Sequence, residues 1–161
     1  GDLRGLASMT EQLVADGDGS VTLDLVGQYV DGRADVKGWA VADLTITGET
    51  GKALAELRWA LASGTDAVLI VGALAGSLRT LTRLTSFPRG QREADVARDL
   101  GVPPWKVRIL RGQLRGWSAA GLAEALRAVA AADLAIKGGS SDHALALSEA
   151  VLAVIDARSM P

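Results

Sequence analysis

The stretch Ala94–Trp117, "ADVARDLGVPPWKVRILRGQLRGW", decides how the chain is read. Its spacing is that of a helix-turn-helix. Ala97 and Leu100 precede a turn at Gly101, and Val102, Val107 and Leu110 follow at core spacing. Pro104 at the first helical position gives the second helix a sharp start. In a DNA-reading helix the outward early residues touch base edges. Here those positions hold Pro104, Trp105, Arg108 and Ile109, which as a set match a base-reading face badly. Trp105, Ile109 and Gly112 form one apolar stripe, and Val107, Leu110, Leu114 and Trp117 form another. A helix apolar on two faces is expected to pack on two sides. What remains is a narrow basic seam of Arg108, Arg111 and Arg115. Trp105, beside the seam, reads either as a core tryptophan or as an aromatic anchor for a partner.

Outward from this stretch the periodicity stays helical. It predicts helices over 2–15, from Thr22 to 31, over about 36–46, and from a capping Thr50 through Ser63. A longer helix is expected from Asp66 to Ser86, with Ile70, Leu74, Ser77, Leu81 and Leu84 on its buried stripe. Gly72 and Gly76, four apart on it, invite close approach of another helix. Further helices are expected over 91–100, 104–116, 118–137 and 142–158. The predicted fold class is all-α, with short connections between antiparallel neighbours and no sheet of three or more strands. A composition shift at 46–52 divides the chain into a small helical module, 1–48, and a larger helical bundle, 49–161.

Charge is divided in the same way. Residues 1–50 carry three basic and nine acidic side chains, whereas 51–161 carry fourteen basic and ten acidic. A basic segment on a near-neutral chain suits phosphate or an acidic partner. The chain has no cysteine, which excludes a disulfide framework and a thiolate metal site and fits the cytoplasm. The most apolar run, Ala67–Gly76, is half the length of a membrane span, so no membrane partner is expected. The chain starts without Met and in mid-pattern, as expected for a piece of a longer protein.

Several motifs imitate chemistry. "TGETGKA", Thr47–Ala53, looks like a phosphate loop, but that motif needs Gly where Ile46 stands and Ser or Thr where Ala53 stands. "DGDGSVTLD", Asp16–Asp24, opens like a calcium loop, yet its sixth and twelfth positions are Val21 and Gly27 instead of Gly and Glu. Ser141, Asp142 and the lone His143 are adjacent in sequence, which does not make a triad. The expected roles there are a cap from Ser141 or Asp142 and a His143 in an exposed first turn. Asp133 falls on the stripe of Leu122, Leu126, Val129 and Ile136, and Lys137 stands four residues on. A half-buried structural ion pair is expected. No catalytic residue, cofactor site or metal site is predicted.

The segment "LGVPPWKVRILRGQLRGWSAAGLAEALRAVAAADLAIKGG", Leu100–Gly139, resembles the C-terminal domain of the delta subunit of the bacterial DNA polymerase III clamp loader. Its most specific pieces are "LGVPPWKV", "GWS" and a closing pattern of Ala132, Asp133, Ile136, Lys137 and Gly138. Val30–Leu84 looks like the same family's link from a helical lid into a helical collar. The resemblance implies a non-catalytic replication subunit whose collar joins the delta-prime and tau/gamma subunits in a ring. It implies that the sliding clamp is touched by an AAA+-type N-terminal domain absent from this chain. It also implies that primed DNA lies within the assembled loader. Under it, Trp105, Arg108, Arg111 and Arg115 become candidate subunit or DNA contacts. The alternative is a helix-turn-helix DNA-binding regulator built on residues 91–116.

Overall fold

In a computed structural model of the protein, residues 37–88, 90–139 and 142–161 are described. The helices expected over 2–15 and from Thr22, and the calcium-loop imitation at Asp16–Asp24, lie outside them. Every regular element among the described residues is helical. They are α1 (described over 37–47), α2 (Thr50–Ala62), α3 (Ala67–Leu84), α4 (Glu93–Leu100), α5 (Pro104–Leu114), α6 (Ala119–Lys137) and α7 (His143–Arg158).

The breaks follow local chemistry. Gly48, at φ 82°, closes α1: its N–H donates to the Thr45 carbonyl, and the Glu49 N–H donates to the Leu44 carbonyl. This paired return needs a left-handed residue, which glycine supplies without a Cβ clash. Thr50 is therefore already the first helical residue, and the cap position passes to Glu49, which makes no side-chain cap bond. Asp66, Ser118 and Asp142 do cap α3, α6 and α7, accepting from the N–H groups of Val68, Gly121 and Leu145. Each such cap contributes about 1 kcal/mol by satisfying an orphan donor. His143 sits in the exposed first turn of α7.

α3 is the central helix. It packs against α4, α5, α6 and α7, and Ile70, Leu74, Ser77, Leu81 and Leu84 are all buried. Its full 18 residues exceed the ten-residue run seen in the sequence. By length and composition alone it could cross a membrane, but half of it is buried against the other helices. α6 and α7 pair along their length, and α7 also covers α2. Val41, Ala42 and Ile46 of α1 join the same hydrophobic core as Ala53, Leu57 and Leu74. The indole N–H of Trp117 donates to the Ile46 carbonyl at 3.2 Å, tying the α5–α6 turn to α1.

The two glycines of α3 have unlike surroundings. A Cβ at Gly72 would meet nothing within 4 Å among the described residues, and this position is exposed, so no described helix approaches it. Gly76 lies under the Trp39 ring, whose edge would stand 3.3 Å from an added Cβ. The close approach comes from an aromatic side chain of α1 and not from a helix backbone.

Candidate functional site

Two turns place the arginine seam. α4 ends at Gly101, at φ 72°, and Pro103–Pro104 restart the chain as α5. Val107 and Leu110 then point inward and are buried. This anchors one face of α5 on α3 and α4. Residues two places away from Val107 are rotated by about 200°, onto the opposite side. Trp105 and Ile109 accordingly face solvent, 66% and 49% exposed. The expectation that both apolar stripes are packed is corrected here, and so is the core reading of Trp105. Two apolar stripes on one helix specify two possible contacts, and the described residues cover only one.

Arg108, Arg111 and Arg115 line one open cleft of about 480 Å³. Leu84 at the end of α3, Phe87 just beyond it and Leu114 supply its apolar lining, and Gly112 leaves room between the arginines. The three guanidinium groups differ in restraint. Arg111 donates through Nη2 to the Gln91 carbonyl at 3.0 Å, which holds it across the cleft from α5. Arg108 reaches the Glu93 carboxylate only at 3.9 Å, and its side chain is 84% exposed. Arg115 is exposed and has no ion-pair partner among the described residues. The sequence pattern singled out the arginines but not Leu84 and Phe87. Those come from the end of α3 and the loop after it, and only the packing of α5 on α3 brings them near.

Lys106 faces a different way. Its ammonium lies 5.3 Å from the centre of the Trp39 ring. On α1, Lys37 lies 4.3 Å over the exposed Trp59 ring and donates to the Ser63 hydroxyl. At the far end of α6, Lys137 Nζ is 2.8 Å from Asp133 Oδ1, with both side chains over a third exposed. The Asp133 carboxylate therefore sits at the rim of the stripe and does not face packed side chains. Such a pair contributes about 0.3–0.5 kcal/mol.

The phosphate-loop imitation resolves into the α1–α2 turn. Helix, not strand, precedes it, and the Lys52 ammonium pairs with Glu49. Calorimetry with ATP and magnesium is expected to show no saturable heat. Micromolar binding abolished by Lys52→Ala would contradict this. Among the described residues, no three histidine, aspartate or glutamate side chains are grouped to hold a metal.

A sequence model of the family described as "DNA polymerase III delta subunit, C-terminal domain" matches residues 37–154. The chain belongs to that family. No curated protein sequence matches. Among solved structures, the fold is similar to that of the Bacillus subtilis DNA clamp loader delta protein (YqeN), with a TM-score of 0.67 at 19% identity. That likeness covers 96% of this chain and 46% of the Bacillus protein, so this chain spans less than half of that length. Among the described residues, every regular element within the matched span is helical. The helix-turn-helix regulator finds no support: the α4–α5 turn has that outline, but it presents Trp105 and Ile109 where base-reading side chains are needed.

Proposed function

We propose that this chain is a non-catalytic assembly module of the replicative clamp loader, joining the collars of neighbouring loader subunits. The observation that carries assembly is on α7. One face of this helix buries Leu147, Ala150, Val151 and Val154. The opposite side exposes Leu145 and Leu152, two turns apart, and Leu134 of α6 is exposed as well. A helix apolar on both sides is ordinarily covered on both. Two exposed leucines on one face of a helix suit a protein–protein contact. The expected partners are the delta-prime and tau/gamma collars, in the cytoplasm.

The division at residue 48 into a lid remnant and a collar belongs to the same reading, with Gly48 as its turn. Contact with the sliding clamp then belongs to a domain outside this sequence. Trp105, Arg108, Arg111 and Arg115 are a second contact surface, meeting a subunit or primed DNA. Asp133 and Lys137 are structural.

The test is mixing with purified delta-prime and tau/gamma on a sizing column. The wild-type chain is expected to co-elute. The double variant Leu145→Glu, Leu152→Glu is expected to lose co-elution while its melting temperature changes little, because both side chains lie on the exposed face of α7. Unimpaired co-elution of the variant would remove α7 as the contact.

A further inference from the structure

Resting on the assembly reading, we propose that the arginine cleft takes a short acidic peptide segment of a partner protein, with one large apolar side chain on the cleft lining and flanking carboxylates on the arginines. The volume of about 480 Å³ falls within the range of built ligand sites, about 300–1,000 Å³. Leu84, Phe87 and Leu114 offer an apolar seat enclosed by positive charge. A carboxylate-bearing segment with an apolar anchor complements both features together.

Nucleic acid fits less well. Affinity for a phosphate backbone grows with the number of phosphates neutralised along a tract. Here three arginines surround one point, on a chain of net charge −2. An apolar seat adds nothing for a phosphate. The contacts the arginines already make are to a carbonyl and a carboxylate. Gln91 holds Arg111 in place, and the 3.9 Å approach of Glu93 to Arg108 is loose enough for an incoming carboxylate to replace it. Arg115 offers a guanidinium without an ion-pair partner among the described residues.

The test uses the full chain and a fluorescein-labelled pentapeptide, Asp-Asp-Phe-Asp-Asp, read by anisotropy at low salt. Saturable binding is expected. Replacing Phe by Ala in the peptide should weaken it about tenfold, the loss of one buried aromatic side chain. The variant Arg108→Ala, Arg115→Ala should weaken it about fivefold, as two solvated ion pairs disappear. Arg115→Gln provides a milder variant if that pair lowers the melting temperature. Absence of saturable binding, or equal affinity for the Phe and Ala peptides, would overturn the proposal. So would a labelled oligothymidylate that binds more tightly and displaces the peptide, which would make the cleft a nucleic-acid site. Co-elution with the collar subunits is measured separately. A chain that co-elutes but ignores the peptide overturns only the peptide site, and one that binds peptide without co-eluting overturns only the assembly role.

Discussion

Leu74→Ala is expected to lower the unfolding free energy by about 2–5 kcal/mol, because it removes buried methyl groups and leaves a cavity that neighbours fill only in part. Leu74 lies in the middle of α3 and is fully buried. α3 packs against α4, α5, α6 and α7 and carries the Trp39 ring of α1, so a void there is shared among packing partners that cannot all relax toward it. With a domain of ordinary stability, about 5–15 kcal/mol, this is a large fraction of the total. Urea unfolding followed by circular dichroism checks it, with a lower midpoint and an unchanged slope as the expected result. A loss under about 1 kcal/mol would mean that α3 is not the central packing helix. The same helix carries Leu84 into the cleft, so loosening it should also weaken capture of the acidic pentapeptide.

Gly121→Ala is expected to destabilise by about 1–3 kcal/mol, the usual cost of overpacking. On propensity alone the sign is opposite, since alanine is favoured over glycine inside a helix by about 1 kcal/mol. Geometry decides the contest. A Cβ at Gly121 would stand 2.4 Å from the Ala157 carbonyl oxygen, which is backbone at the end of α7 and cannot swing aside. Relief requires α6 and α7 to separate where Ser118 caps α6. Gly72→Ala is the matched control. Its Cβ would meet nothing among the described residues, so propensity acts unopposed and stability should rise by about 0.5–1 kcal/mol. Thermal unfolding of the two variants should therefore move in opposite directions. Equal shifts would show that the α6–α7 contact is looser than 2.4 Å implies.

Much of the helical layout was legible in the residues. The α3 stripe of Ile70, Leu74, Ser77, Leu81 and Leu84 is buried in full, because period 3.6 puts four large apolar side chains and one small serine on a single face. Asp142 caps α7 at the place its side chain suggested, since capping depends on three or four consecutive residues. The family resemblance also lay in order and spacing, and the matched residues 37–154 include all of Leu100–Gly139 and the other stretch from residue 37 to Leu84.

Tertiary structure decided what periodicity cannot. Helical spacing gives the angle of a side chain around its own axis but not what stands opposite. The Val107 and Trp105 faces of α5 are both apolar in sequence, and only docking on α3 and α4 buries the first and leaves the second in water. Gly72 and Gly76 are equivalent by spacing, and only the position of α1 puts the Trp39 ring on one of them. The cleft depends on the same step. Arg108, Arg111 and Arg115 define a seam by local spacing, but its apolar lining includes Leu84 and Phe87, more than twenty residues earlier. Residues so far apart meet only through packing, so a one-dimensional pattern holds the arginines and not the site they enclose.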